Sequence, residues 1–254
     1  MRELPAFFAE LGSWAAERDR PAQRHAYGPH PDQHAELRLP DGEGPHRVVV
    51  VIHGGFWRAE YTKANTTAVA VALAAAGWAT WNVEYRRVGS GGGYPETLDD
   101  VAAARAALHH VGAALDLDAV GSLGHSAGGH LALWLAAEGR VSSAVALAGV
   151  CDLAAGAAAG LGDDAVAGFL GGAPDAHGDA DPARRLPLGV PLLLVHGSED
   201  DRVPAGHSRA FAAAARAAGD DCRLLELDGV GHFEPIDPRS SAWPEIVAAL
   251  AALT

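Results

Sequence analysis

A short glycine-rich segment has the residue types and spacing that could make a serine nucleophilic. Residues 124–128 read GHSAG, which fits the pattern G-x-S-x-G around Ser126. They lie between an apolar run at 120–123 and an Ala/Leu-rich run at 131–137. Such a strand-to-helix turn projects the serine hydroxyl outwards, and the helix N-terminus favours developing negative charge. Because plain glycine turns share this pattern, its meaning depends on a base, an orienting carboxylate and oxyanion donors elsewhere.

A histidine and a carboxylate follow the serine in a suitable order. His232 lies in a glycine-bounded segment after the last predicted strand. The loop that follows the predicted strand at 191–195 carries Glu199, Asp200 and Asp201. Asp200, the third residue after the turn glycine, is the carboxylate that we assign, with its two neighbours as alternatives. The carboxyl ends of parallel strands share one edge of a sheet, so the serine, Asp200 and His232 are expected to meet there.

Backbone N–H groups from two segments are predicted to bind an oxyanion. Ala127 directly follows the nucleophile. Residues 53–57, of sequence HGGFW, follow the β-branched run at 47–52. Two successive glycines allow a backbone to turn its N–H groups towards a carbonyl oxygen. We therefore assign Gly55, Phe56 and Ala127 as the oxyanion donors, and we expect the histidine of the loop to order it.

The elements that must position these groups alternate along the chain. Apolar runs typical of buried strands are separated by segments with helical spacing, which predicts an α/β fold with a mostly parallel central sheet flanked by helices. The length of 254 residues fits a single domain, 1–254. Residues 1–33 are expected to form an N-terminal amphipathic helix, at 4–16, and a lead-in to the sheet. The predicted strands are at 35–39, 47–52, 78–85, 120–123, 143–147, 191–195 and 222–227.

One segment, 152–187, interrupts this alternation. It is rich in Ala, Gly, Asp and Pro and contains one apolar run at 166–170. We interpret it as a short cap-like insertion over the site, with a loose surface insertion as the alternative. Phe56 and Trp57 of the glycine loop and Phe169 of the apolar run are predicted to line an apolar pocket for an acyl or aryl group.

Composition argues against several other classes of protein. The formal net charge is −13 and no long basic run occurs, which is unlike a nucleic-acid-binding protein. No apolar window is long enough for a transmembrane helix, and residues 1–5 are unlike a secretory leader. We therefore expect a cytoplasmic protein with no membrane partner. Motifs such as H-E-x-x-H and C-x-x-C do not occur, so neither a metal nor another cofactor is predicted.

Three motifs resemble those of known hydrolases. Residues 53–57 are similar to the H-G-G-x-W signature of kynurenine formamidases (arylformamidases), and residues 124–132 resemble the nucleophile segment of those enzymes. Residues 84–86, EYR, are similar to the D-Y-R phrase of hormone-sensitive-lipase-like esterases, with Glu in place of Asp and without their H-G-G-G loop. From about residue 34 onwards the chain resembles an α/β-hydrolase of the esterase/lipase superfamily.

The resemblance implies an α/β-hydrolase fold and a serine hydrolase with a Ser126–Asp200–His232 triad. Its expected partner is a small ester or amide, including aryl formamides, and a homodimer is left open. Two alternatives retain the same motifs. An acyl-enzyme could be captured by an amine or alcohol, as in an acyltransferase or cyclase. The fold could also serve as a non-catalytic ligand binder.

Overall fold

The predicted strands form an eight-stranded sheet in the computed structural model, which describes residues 4–19 and 21–253. Residues 1–3, part of the segment compared with a secretory leader, lie outside the described residues. The strands are β1 (Gln23–Ala26), β2 (His34–Arg38), β3 (His46–Ile52), β4 (Ala79–Val83), β5 (Leu115–His125), β6 (Ser143–Leu147), β7 (Leu192–Gly197) and β8 (Cys222–Leu227). Their spatial order is β1-β2-β4-β3-β5-β6-β7-β8. Strand β2 pairs antiparallel with both neighbours, whereas the pairs from β4 to β8 are parallel.

Helices cover both faces of the sheet. Both faces need this cover because side chains of the central strands point alternately to either side, as in β3, whose side chains enter two hydrophobic layers. Val48 and Val50 belong to the layer that includes residues of α3 and α4, whereas Val49 and Val51 belong to the layer with α2 and α8. The helices are α1 (Leu4–Ala16), α2 (Thr67–Ala75), α3 (Glu96–Ala107), α4 (Ala127–Ala137), α5 (Leu153–Ala158), α6 (Leu161–Leu170), α7 (Gly206–Ala218) and α8 (Trp243–Ala251). Within the described ranges, no helix has the length and apolarity needed to cross a bilayer.

Strand β1 was not predicted from the sequence. It lies at one edge of the sheet, next to β2, and three of its four residues are exposed. An edge strand with little buried surface has no apolar alternation, so periodicity could not reveal it.

Residues 152–187 form an ordered segment that packs against the glycine loop. It contains α5, α6 and two short 3-10 turns. The ring of Phe169 in α6 stacks on Trp57, with centroids 4.7 Å apart. The guanidinium of Arg58 donates hydrogen bonds to the carbonyls of Gly162 and Asp163. These contacts connect the insertion to the loop that carries the predicted oxyanion donors.

Candidate active site

Ser126 occupies a very tight turn between β5 and α4. Its backbone has φ 56° and ψ −119°, a conformation that is strained for a residue with a side chain. A Cβ on Gly124 would lie 1.9 Å from the carbonyl oxygen of Gly128, and a Cβ on Gly128 would lie 2.2 Å from that of Ile52. The turn therefore requires glycine at both positions, as expected for a nucleophile elbow.

Asp200 contacts the predicted base. Its Oδ2 accepts a hydrogen bond of 2.7 Å from Nδ1 of His232. Its Oδ1 accepts backbone N–H groups of Arg202 and Val203, each at 2.8 Å. Glu199 and Asp201, the alternative acids, are both exposed. The arrangement leaves Nε2 of His232 as the imidazole nitrogen that could take a proton.

A second histidine, His196, supports the same carboxylate. Its Nε2 lies 3.1 Å from Oδ2 of Asp200, and both side chains are fully buried. Burial opposes ionisation of Asp200, but hydrogen bonds from His196 and His232 hold its pKa well below the usual range. Asp200 is therefore a carboxylate at neutral pH. His196 was not predicted, although its place at the end of β7, four residues before Asp200, could have indicated it.

His125, immediately before the serine, holds the backbone of the histidine loop. Its Nε2 donates to the carbonyl oxygen of His232 at 2.9 Å. Burial and the proximity of His232 lower the pKa of His125 to about 3, so its ring is neutral. The G-x-S-x-G pattern leaves this position unspecified, so the motif gives no signal for the role of His125.

The glycine loop directs a backbone N–H group into the site. Nδ1 of His53 donates to the carbonyl oxygen of Gly54 at 2.8 Å. In a trans peptide the N–H points opposite to the carbonyl, so the N–H of Gly55 points away from His53. A Cβ on Gly54 would lie 2.9 Å from Cβ of Ser126, which shows how closely this loop approaches the serine.

The three predicted oxyanion donors remain available in the structure. Among the described residues, no acceptor is recorded for the N–H groups of Gly55 and Phe56. Ala127 is the first residue of α4, where an N–H group has no intrahelical acceptor. The positive φ angles of Gly55 (110°) and Phe56 (53°) show that the loop is held in an uncommon conformation.

A buried ion pair between Glu84 and Arg87 contacts this loop through His53. Nε2 of His53 lies 3.0 Å from Oε1 of Glu84, and Arg87 contacts the same carboxylate. Burial opposes ionisation of Glu84, but His53 and Arg87 hold its pKa below the usual range. The two ring nitrogens of His53 thus contact the carbonyl oxygen of Gly54 and the carboxylate of Glu84. Glu84 therefore helps to hold the histidine that orders the loop.

Of the three aromatic residues predicted to line the pocket, Phe56 lines the cleft at Ser126, whereas the other two lie in the core. Trp57 and Phe169 are fully buried, and the edge of His130 packs on both rings. Neither ring lines the cleft at Ser126, and neither does any other residue of 152–187. The geometry therefore gives these two residues a packing role and offers no support for their contact with substrate.

Two adjoining depressions meet at His232. The first is a narrow cleft with a cavity volume of about 50 Å³, lined by the glycine loop, Ser126, His232 and, from α1, Leu4 and Phe8. The second is a wide groove of about 780 Å³ that also contacts His232 but does not contact Ser126. The groove is mostly polar and includes Glu199, Asp201, Arg202, Glu234, Asp237 and Arg239.

The parallel sheet, the nucleophile elbow and the histidine–aspartate pair at the same edge together define an α/β-hydrolase. The BD-FAE family model matches residues 36–214. The chain therefore belongs to the BD-FAE family, and its predicted membership of the esterase/lipase superfamily is confirmed.

Known proteins of similar sequence and structure carry esterase names. The chain is 29% identical over 222 residues to Esterase LipC of Mycobacterium tuberculosis; the match covers 76% of this chain and 54% of LipC, so this chain spans about half the length of that relative. A truncated carbohydrate esterase from gut microbiota superposes with a TM-score of 0.79 at 18% identity, covering 93% and 97% of the two chains. Est2 from Thermogutta terrifontis gives 0.74 at 21% identity, covering 91% and 90%. These structural similarities confirm the predicted α/β-hydrolase fold.

Proposed function

We propose that this chain hydrolyses carboxylic esters of small acyl groups through Ser126, His232 and Asp200. The observation that carries the proposal is the 2.7 Å hydrogen bond between His232 and the buried carboxylate of Asp200, with His232 and Ser126 lining one cleft. A serine, a histidine and an acid in this arrangement are the groups that nucleophilic acyl transfer requires.

The reaction follows from the positions of these groups. Oγ of Ser126 attacks the carbonyl carbon while Nε2 of His232 takes the hydroxyl proton. The N–H groups of Gly55, Phe56 and Ala127 stabilise the oxyanion. Collapse of this intermediate breaks the bond to the alcohol oxygen, which takes the proton from His232. A water molecule, deprotonated by His232, then attacks the acyl-enzyme. The bond between the acyl carbon and Oγ breaks, His232 returns the proton to Oγ of Ser126, and the acid is released. Asp200 remains ionised throughout.

The size of the cleft supports a small acyl group. A cavity needs roughly 10–15 Å³ of such volume for each water-sized occupant. About 50 Å³ therefore accommodates only a few heavy atoms, which corresponds to formyl, acetyl or butyryl groups. The acyl group of an aryl formamide is formyl, the smallest of these. Aryl formamides are therefore included in the substrate comparison.

The wide groove supports a polar alcohol. The leaving oxygen receives its proton from His232, so the alcohol departs on the side of that histidine. His232 lines both depressions, and we assign the alcohol to the groove, whose wall carries Glu199, Glu234 and Arg239. Hydroxyl groups on the alcohol would find both hydrogen-bond donors and acceptors there.

The test is a Ser126→Ala variant assayed with p-nitrophenyl acetate. We expect kcat to fall at least about 10⁴-fold, because removing a catalytic serine leaves only oxyanion binding and proximity. Ser142→Ala is the matched control, since Ser142 is exposed and contacts Val120 far from the cleft. An organophosphonate should add its mass to the wild-type chain at Ser126 only. Substantial turnover by Ser126→Ala, or labelling elsewhere, would refute the triad.

The same assay separates the alternative reactions. Comparing p-nitrophenyl acetate with N-formylkynurenine tests the formamidase resemblance, and a strong preference for the latter would establish that subtype. Adding a competing amine or alcohol tests acyl transfer, since a transferase would form the new ester or amide in preference to the free acid.

A further inference from the structure

The amphipathic helix α1 forms part of the wall of the narrow cleft. Its residues Phe7, Leu11 and Ala15 recur every four positions and are buried against α2. This stripe anchors the helix. Leu4 and Phe8, one turn apart on the adjacent stripe, are half-buried and line the cleft beside Ser126. The helix is therefore attached by one stripe and presents another to the site.

An aromatic cluster joins α1 to the loop of the catalytic histidine. The ring centroids of Phe7 and Phe8 are 5.3 Å apart, and that of Phe233 lies 5.8 Å from each. Phe8 and Phe233 meet at 84°, the favourable edge-to-face geometry. The ring of Phe233 is in turn 4.9 Å from that of His232. Phe8 thus packs against Phe233, which in turn packs against the catalytic base His232.

Neighbouring residues of α1 face different depressions. Phe8 lines the narrow cleft, which contains Ser126 and Gly55, whereas Phe7 lines the wide groove. In the proposed reaction the alcohol leaves through the groove and the acyl group stays bonded to Ser126. The side chain of Phe8 therefore faces the acyl group.

We propose that Phe8 sets the upper limit on the length of the acyl group. The inference rests on the proposed function and adds to it a specificity-determining residue outside the segments that carry the catalytic motifs. The phenyl ring forms part of the lining of the narrow cleft, so in this proposal an acyl chain that outgrows the cleft meets it. A smaller side chain at this position opens the cleft along the face of α1.

The experiment compares p-nitrophenyl acetate, butyrate, hexanoate and octanoate, which share one leaving group, so that only the acyl part varies. For the wild-type chain we expect kcat/KM to fall at least about tenfold from butyrate to octanoate. Phe8→Ala should raise the octanoate-to-butyrate ratio of kcat/KM about tenfold. Phe8→Trp should shift the preference in the opposite direction, towards acetate.

Trp14→Ala is the matched control. Trp14 is a half-buried aromatic residue of the same helix whose ring contacts Arg18 and does not line the cleft. This variant should retain the wild-type ratio. An unchanged ratio in Phe8→Ala, or an equal rise in Trp14→Ala, would overturn the inference, the latter because a loosened helix alone would explain it. If Phe8→Ala does not fold, Phe8→Leu and Phe8→Trp provide the same comparison with the apolar contact kept.

Failure of this inference is distinguishable from failure of the proposed function. If Ser126→Ala is inactive towards all four esters while the Phe8 variants keep the wild-type ratio, Phe8 is not the specificity residue but the triad remains. If Ser126→Ala hydrolyses the esters as the wild type does, the proposed function itself fails.

Discussion

Nε2 of His196 lies 3.1 Å from Oδ2 of Asp200, the same oxygen that accepts the 2.7 Å hydrogen bond from His232. The other carboxylate oxygen is held by the backbone of the following two-residue turn. Both carboxylate oxygens of Asp200 therefore have hydrogen-bond partners that fix the side chain before any substrate binds. Such preorganisation allows a buried charge to act on His232 without rearrangement during the reaction.

Replacement of the three neighbouring acids tests which one acts on His232. Asp200→Asn should lower kcat by about 10³–10⁴-fold, because an amide facing Nδ1 favours the wrong imidazole tautomer. Asp201→Asn and Glu199→Gln should retain near wild-type rates with p-nitrophenyl acetate, since both side chains are exposed and this leaving group has no further hydroxyl for the groove to bind. Steady-state kinetics with p-nitrophenyl acetate provide the measurement. A large loss in either control, with Asp200→Asn active, would assign the role to a neighbour.

Loss of the Glu84 carboxylate, which contacts the glycine loop through His53, should affect catalysis more than substrate binding. Glu84→Gln removes the carboxylate that contacts Nε2 of His53, whose other ring nitrogen holds the Gly54 carbonyl. We expect kcat to fall about 10–100-fold with little change in KM, since a misdirected oxyanion donor weakens only the transition state.

Glu36→Gln is the control for that variant. Glu36 forms partly buried ion pairs with Arg38 and Lys63 and has no recorded contact with His53 or Gly54, although the backbone N–H of Lys63 donates to Glu84. Both variants should lose stability, which urea unfolding measures, but only Glu84→Gln should lose turnover at temperatures where it is folded. Equal rates for the two would show that the pair is merely structural.

The contact between the insertion and the glycine loop is testable at Gly162. This residue has φ +62°, and a Cβ there would lie 2.5 Å from the ring of Phe56. Gly162→Ala should therefore lower the free energy of unfolding by about 1–2 kcal/mol and reduce kcat through displacement of Phe56. Gly168→Ala, in the exposed interior of α6 with no atom within 4 Å, should instead stabilise the protein by about 0.5–1 kcal/mol. Urea unfolding of both variants checks the opposite signs.

The buried His130 should make the protein less stable as the pH falls. Burial lowers the pKa of His130 to about 4, although its Nε2 donates to the carbonyl of Ala180. Between about pH 6.5 and 4 the unfolded chain binds a proton there that the folded chain does not. Stability is therefore lost on acidification, by at most about 1.4 kcal/mol per pH unit from this residue.

His130→Gln tests that linkage, because a glutamine amide can still donate to Ala180 but does not titrate. Urea unfolding at pH 6.5, 5.5 and 5 should show a shallower loss of stability in the variant. His125, whose pKa is also lowered, contributes equally to both proteins. The same slope in wild type and variant would mean that His130 binds a proton equally well in the folded and unfolded chains.

The chain's local patterns determined most of the framework. The β-branched run of β3 predicts a strand buried on both faces. The glycines around Ser126 predict a tight turn. Glycine at 124 and 128 is required because any Cβ would overlap a backbone carbonyl of the turn. The positions of Ser126, Asp200 and His232 after predicted strands indicated that they meet at one edge of the sheet, because parallel strands end on the same side.

The tertiary structure decided which residues surround that edge. Trp57 and Phe169 were predicted in a pocket, but their rings stack in the core, because the insertion packs on the glycine loop. Phe8 and Phe233, at opposite ends of the chain, meet at the cleft instead. Periodicity shows that a helix has an apolar face but not what that face covers, since this depends on contacts between segments distant in sequence. The sequence alone thus determined the candidate chemistry at Ser126, and the packing of α1 and the insertion decided which side chains surround it.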